Sequence, residues 1–390
     1  MLPFETSEYL ARIAHTKCRM SDGGIDVLLV SDPANMNYLT GYNAWSFYTP
    51  QVVIIADALP EPLCVLRAMD ANGARVTTFL NDDSIIGYPD HHVQSSERHP
   101  MDFVAGVLKQ RALDDKRIGL EMDSYYFTPL AYEALKASLP NARWADANLL
   151  VNWVRAIKSP AELRYMSQAA RIMERVMAVA IEEVEPGARQ CDAVAKIYQA
   201  QIAGTPEFGG DYAAFVPMLP TGVGTSTPHL TWSDAKFVKG EATILELGAC
   251  RHRYHCPMAR TVFLGKPPQK LTDTALVVLE GIAAGLEAAR PGATCEEVEA
   301  AWRHSIARQG IVKESRVGYS TGLNYPPDWG EHTMSLRPGD KSVLQANMTF
   351  HLIAGIWMDD WGIEISECFR VTESAAEPFA NVPRDLIVKP

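Results

Sequence analysis

A glutamate set inside an apolar run is the first residue of this chain that could do chemistry. Glu246 lies in Thr243–Leu247 (TILEL), directly before Gly248. A carboxylate buried in such a strand needs a positive partner to offset its lost hydration. Arg260 is one candidate partner, which would make Glu246 structural. A cationic substrate is the other, which would let Glu246 bind it, attack it, or hold a water. His229, in Pro228–Trp232 (PHLTW), supplies an imidazole that titrates near neutral pH and could move protons; it could equally be a structural loop histidine. Asp211 follows Gly209-Gly210 and is either a site-orienting group or a turn residue. Tyr254 and His255 precede Pro257 and either line a pocket or pack in the core. Glu364 and Glu367 lie three apart in GIEISECFRV, so on a strand they point to opposite faces. Glu364 is the better candidate for a pocket, because Ile363 and Ile365 then face the core from the other side.

Two helix–strand patterns must position these groups. The first part of the chain alternates: Glu8–Met20 reads as a helix, and Ile25–Val30, Val52–Ile55 and Arg117–Glu121 read as short buried strands. Alternation of this kind predicts an α/β layer structure. The charged, proline-containing segment Arg155–Glu162 (RAIKSPAE) then opens a helical pattern from Leu163 to Val184. Domains of residues 1–155 and 156–390 follow, in keeping with a prior of roughly 150 residues per domain. Glu185-Pro186-Gly187-Ala188 with Cys191-Asp192-Ala193-Val194 returns later as Arg290-Pro291-Gly292-Ala293 with Cys295-Glu296-Glu297-Val298. Each copy is a long helix, a Pro-Gly stop, a second helix and then strands, which predicts a duplicated domain with its site where the halves meet. Thr243–Leu247 with Thr261–Leu264, and Thr349–Ile353 with Gly362–Val371, are the expected antiparallel strands.

Composition narrows the function. The net charge of -11 argues against a nucleic-acid partner, which calls for clustered Lys and Arg. The N-terminus shows no apolar secretory segment, and no run of about 20 apolar residues would span a membrane. The seven cysteines are scattered, without CxxC spacing. A cytoplasmic protein with no membrane association and no disulfide framework is the expectation.

Three segments carry a family resemblance. Asn35–Tyr42 (NMNYLTGY) resembles the N-terminal-domain signature of the creatinase, prolidase and aminopeptidase P superfamily. Ile157–Glu162 (IKSPAE) resembles the entry to its catalytic domain. Leu245–Gly248 with Ala259-Arg260-Thr261 resembles the strand pair that bears two aspartate metal ligands in the peptidases. The resemblance spans nearly the whole chain. It implies an α/β creatinase-type N-terminal domain plus a C-terminal pita-bread catalytic domain, α+β with a pseudo-two-fold axis. The ligand positions are changed, however. Glu246 and Pro257 stand at the two aspartates, Tyr319 (in GYSTGL) at the histidine, and Ile353 at the first glutamate. The second glutamate falls near Ser366, with Glu364 and Glu367 on either side. Pro and Ile cannot ligate, so the resemblance implies a metal-free member without cofactor, as creatinase is.

Longer segments resemble the ectoine-hydrolase branch: Trp45–Tyr48 (WSFY), Gly87–His91 (GYPDH), Phe208–Tyr212 (FGGDY), PHLTW, Tyr254–Pro257 (YHCP), Tyr325–Glu331 (YPPDWGE) and Trp357–Gly362 (WMDDWG), which contains Asp360. This resemblance implies hydrolytic opening of the cyclic amidine of ectoine, with hydroxyectoine a related substrate. It implies Glu246 and His229 as catalytic residues. It also implies that Asp211, Tyr254, His255, Tyr319, Asp360 and Glu364 lie at the substrate. Trp45 and Tyr48 would lie on an N-terminal-domain loop that covers the site of a second subunit, making the enzyme a homodimer. A creatinase-like amidinohydrolase acting on another guanidino or amidine compound, and a non-catalytic binding protein, are the competing readings. Arg253 and Arg316 are candidates to hold a substrate carboxylate.

Overall fold

The computed structural model describes residues 2–390. The chain divides into two compact units, the first ending at Arg155 and the second running from Ala156 to Pro390.

In the first unit the elements follow in the order α1 (Thr6–Asp22), β1 (Val27–Val30), α2 (Pro33–Thr40), β2 (Val52–Ala56), β3 (Leu63–Arg67), α3 (Ala71–Thr77), β4 (Ile85–Tyr88), α4 (Pro100–Gln110), β5 (Arg117–Leu120), α5 (Pro129–Ser138), β6 (Arg143–Asp146) and α6 (Leu150–Arg155). The strands form one sheet in the order β4-β3-β2-β1-β5-β6. β2 runs antiparallel to both β1 and β3, and the outer pairings are parallel. The period of two along each strand splits the core into two layers. Val27, Leu29, Val52 and Ile54 pack against α4 and α5 on one face, through Met101, Val104, Leu108 and Leu135. Leu28, Val30, Val53 and Ile55 pack on the other face with Ile13, Met36, Leu39 and Ala74. Asp32 ends β1 and also starts α2: its side chain accepts from the Ala34 amide at 2.7 Å, with Pro33 in the first turn.

In the second unit α7 (Pro160–Glu183), α8 (Gln190–Ala203), β7 (Ala242–Arg251) and β8 (Tyr254–Leu264) are followed by α9 (Gln269–Ala288), α10 (Cys295–Ala307), β9 (Gly318–Thr321), β10 (Gly330–Leu336), β11 (Thr349–Trp357), β12 (Gly362–Val371), β13 (Ala376–Pro378) and β14 (Ile387–Lys389). The sheets run β10-β9-β11-β12-β13 and β14-β8-β7. α7 begins with a reciprocal cap between Ser159 and Glu162.

The duplication repeats at the level of single hydrogen bonds. Gly187 N–H donates to Phe237 O and Gly292 N–H to Leu344 O, both at 2.9 Å. Phe237 returns a bond to Ala188 O, and Leu344 to Ala293 O. Both glycines hold φ near +90° (87° and 89°), the left-handed turn that stops the preceding helix. The hairpins match as well. Glu246 opposite Ala259 and Gly248 opposite Pro257 in β7–β8 correspond to Ile353 opposite Ser366 and Gly355 opposite Glu364 in β11–β12. No helix among the described residues is long and apolar enough to cross a membrane.

Candidate active site

The two hairpins each bring one carboxylate into the interior of the second unit. Glu246 is 5% exposed and Glu364 fully buried. Glu364 lies on the same face of β12 as Ser366. Glu367 points the other way, to the buried Arg260 at 2.7 Å and to Arg384 at 3.0 Å. Arg260 is therefore committed to Glu367 and leaves Glu246 without that partner. Both oxygens of Glu364 are buried with no hydrogen-bond donor among the described residues. Burial pushes Glu364 up to about 7. Burial also raises Glu246 well above the carboxylate range, and the neighbouring Glu364 raises it further.

One cation opposes these shifts: Lys313, in the loop between α10 and β9. Its Nζ donates to Gly355 O at 2.8 Å and Ile353 O at 3.3 Å on β11. The ammonium also stands over Trp357, 4.4 Å from the ring centroid, with Trp302 at 5.5 Å. Burial lowers its pKa to about 8 against the pull of Glu364 and Glu246. Lys313 and Trp302 carry no motif that sequence reasoning could use; they meet Trp357 only because the loop folds back over β11.

An aromatic wall completes the site. Residues Ala214–Met218 run beside β7, where Met218 and Glu246 exchange backbone hydrogen bonds of 3.0 Å each. Ala214, Met218, Tyr319 and Trp329 form a buried cluster with Phe215 and Ile353 against it. Phe215 meets Trp329 edge-on at 4.5 Å. Trp329 packs so closely over Gly248 that a Cβ there would lie 2.6 Å from its ring, which is why the strand has glycine at this point. The Trp329 Nε1–H donates to Tyr319 Oη at 2.6 Å. Tyr319 in turn meets His351 Nδ1 at 3.3 Å, and His351 Nε2 meets Ser366 Oγ at 2.7 Å. Burial, with Arg316 adding to it, lowers His351 to about 3, so it is a neutral link. Burial and the charge of Glu246 hold the Tyr319 phenol protonated. Tyr319 thus reaches the Glu246 group as a fixed dipole.

The remaining sequence candidates lie elsewhere. Tyr254 donates to Glu162 Oε1 at 2.8 Å and stacks on Tyr165, tying β8 to the start of α7. His255 accepts from the Ala214 amide at 2.9 Å; burial lowers it to about 3, so it holds the wall loop as a neutral base. Asp211 caps the turn before β8, accepting from the Arg253 amide at 3.2 Å. Asp360 lies exposed at the β11–β12 turn, 3.9 Å from Lys270, in a surface groove of about 210 Å³ with Trp361 and Val223. Its position at the hairpin tip turns it outward. His229 is also exposed. Arg253 is buried between Tyr212 and Tyr325 and donates to Tyr212 O and Asn324 O, which removes it as a carboxylate anchor. Arg316 stays exposed over the Tyr319 ring at 4.3 Å. Trp45 and Tyr48 are surface residues of the first unit, 59% and 64% exposed.

A creatinase-type α/β unit followed in the chain by a duplicated pita-bread unit, with carboxylates on the two hairpins of the latter, defines a hydrolase of the M24 class. The chain belongs to that family: the model of metallopeptidase family M24 matches residues 164–373, and that of the creatinase/prolidase N-terminal domain matches residues 12–157. Among individual relatives, it is 47% identical over 395 residues to the ectoine hydrolase of Halomonas elongata, covering 100% of this chain and 99% of that one. An uncharacterized hydrolase/peptidase of Sinorhizobium fredii is 45% identical over 389 residues, with 100% and 99% covered. Solved structures share the fold at low identity. Dipeptidase PepE from Mycobacterium ulcerans superposes with a TM-score of 0.82 at 23% identity, covering 99% of each chain. A prolidase from Thermococcus sibiricus does so with 0.83 at 21%, covering 98% and 99%.

The family name implies a metal, and the donor set does not fit one. No group of three or more His, Cys, Asp or Glu among the described residues is placed to hold an ion. Ile353 and Pro257 present no donor side chain, and an ammonium supplies the positive charge beside the two carboxylates.

Proposed function

We propose that this protein hydrolyses ectoine, opening its cyclic amidine to an N-acetyl-diaminobutyrate without a metal. The observation that carries this reading is the pair of buried carboxylates, Glu246 and Glu364, of which Glu364 has no donor of its own. A flat cation with N–H donors would satisfy both, and the wall of Phe215, Trp329 and Tyr319 suits its faces. The 47% identity to an ectoine hydrolase over the whole chain supports the substrate.

In this reading Glu246 acts on the amidinium carbon, directly or by activating water, while Glu364 holds a ring N–H. The amidinium carbon is electrophilic already, so no Lewis acid is required. Tyr319, fixed by Trp329 and His351, stabilises the oxygen that adds. Arg316, at the rim above Tyr319, is the group available for the ectoine carboxylate. Trp45 and Tyr48 form the aromatic lid of a second subunit's site in a cytoplasmic homodimer, and hydroxyectoine is a second substrate.

Purified protein incubated with ectoine and followed by proton NMR tests the reading. The acetyl resonance of a ring-opened product should appear as the ring methyl signal disappears. An enzyme that leaves ectoine intact and hydrolyses creatine or an Xaa-Pro dipeptide would overturn it.

A further inference from the structure

The carboxylates account for binding and attack, but opening the ring also needs an acid at the leaving nitrogen. His229, the candidate from sequence, is an exposed loop residue. Lys313 is a second candidate, on the side of Glu364. Two carbonyls of β11 anchor its ammonium, Ile353 O and Gly355 O, and these strand residues stand opposite Ser366 and Glu364. Trp357 and Trp302 wall it in. An ammonium carries three N–H groups, and two are accounted for. No ion-pair contact within 4.0 Å joins it to Glu246 or Glu364 among the described residues, yet their charges reach it. A gap therefore separates anions from cation, and Glu364 has no donor among the described residues. The charged groups that act on Lys313 are Glu364 from β12 and Glu246 from β7.

Resting on the amidinium reading, we propose that Lys313 gives the proton to the ring nitrogen that leaves. The step balances. Water oxygen bonds to the amidinium carbon while Glu246 takes one water proton, leaving a neutral tetrahedral adduct. Lys313 protonates the departing nitrogen, the ring C–N bond breaks, and its electron pair stays on that nitrogen. The hydroxyl proton of the adduct passes to the released amine, which leaves as an ammonium. The proton on Glu246 returns to Lys313. Substrate and product carry the same charge, and no oxidant or metal takes part. A lysine whose pKa lies near 8 is poised for such a transfer, since an acid matched to the working pH gives up its proton most readily.

Lys313→Arg keeps the cation but makes it a poor acid, and Lys313→Met removes it. Steady-state kinetics on ectoine should show kcat reduced roughly 10²–10⁴-fold in both. KM should hold within a few-fold in the Arg variant, and the loss of kcat on the alkaline side should disappear from its pH profile. If the Met variant fails to fold, the Arg variant carries the test. An Arg variant with near wild-type kcat, or an unchanged alkaline limb, overturns the proposal. A wild type that never turns ectoine over refutes the substrate instead. The placement of Lys313 is then read from its Nζ resonance in ¹⁵N NMR, which should shift in both Glu246→Gln and Glu364→Gln; a resonance indifferent to both overturns it.

Discussion

Replacing Glu364 by glutamine should make the free enzyme more stable and nearly inactive. Glu364 is fully buried, and neither of its oxygens has a donor. Burial raises its pKa from 4.5 to about 7, with Lys313 pulling the other way. A carboxyl whose folded pKa is raised binds its proton more tightly folded than unfolded. Its contribution is therefore greatest below about pH 4.5 and is lost as pH rises through about 7. At 1.36 kcal/mol per unit the loss is about 3 kcal/mol. Lys313, with its pKa lowered to about 8, stays protonated in both folded and unfolded protein below that pH and adds little slope there. The glutamine variant lacks the titration, so its advantage should grow from roughly 1 kcal/mol at pH 5 to about 3 kcal/mol at pH 8. For a unit of this size that is on the order of 5–10 °C in Tm. Thermal unfolding of wild type and variant without substrate, at half-unit pH steps, measures it. Ectoine should raise the Tm of wild type more than that of the variant, because a bound cation relieves the buried charge. A variant no more stable than wild type at pH 8, or a wild type whose stability does not fall between pH 5 and 8, would refute the account of Glu364 as an unsatisfied anion kept for a ligand.

Three further outcomes follow from the same site. Glu246→Gln should lower kcat at least a hundredfold with a smaller change in KM, in line with the 10²–10⁴-fold typical of acid–base groups; a defect confined to KM would reduce Glu246 to a binding group. Dialysis against a strong chelator should leave ectoine turnover within about twofold if the proposed metal-free reaction holds, as no ligand set for an ion is placed among the described residues; activity that vanishes and returns with a divalent cation would contradict this. Mixing Trp45→Ala with Glu246→Gln protein should restore activity if the exposed loop around Trp45 serves a second subunit, up to about a quarter of wild type by random pairing. Mixed dimers verified by mass spectrometry that stay inactive would count against the lid.

What sequence made legible depended on whether a signal was local. Glu364 could be separated from Glu367 by the period of the strand alone: Ile363 and Ile365 mark one face, and the structure gives Glu367 to Arg260 and Glu364 to the interior. The duplication was legible because each copy repeats a Pro-Gly helix stop, whose φ requirement shows in composition. Tyr254 and His255 looked like pocket residues because they adjoin Pro257. Their actual partners, Glu162 and Ala214, lie far away in sequence and decide their roles. Asp360 lies at a Trp-rich hairpin tip, and sequence could not show that this turn faces solvent in the single chain. Lys313 had no signal at all. Its meaning comes from two tryptophans and two backbone carbonyls that only the fold assembles around it.

The internal symmetry explains why the site has the charge pattern it does. The duplicated hairpins offer four equivalent positions in two pairs, 246 with 353 and 257 with 364. Carboxylates occupy one member of each pair, Glu246 on β7 and Glu364 on β12, and the other members are Ile353 and Pro257. An ion held symmetrically would draw on all four. A single organic cation needs only two acceptors, and an apolar group opposite each acceptor excludes a competing hydrated ion. Glycine is kept at 248 and 355 in both halves because a tryptophan covers each, Trp329 on the first and Trp357 on the second. The halves have thus kept the backbone device that admits an aromatic wall and diverged in the side chains that face the ligand. Lys313 packs on Trp357, and among the described residues no cation covers Trp329. The positive charge lies on one side of the pseudo-axis, so the proposed mechanism would run in one direction across a symmetric scaffold, with attack from the β7 side and proton delivery from the β11 side.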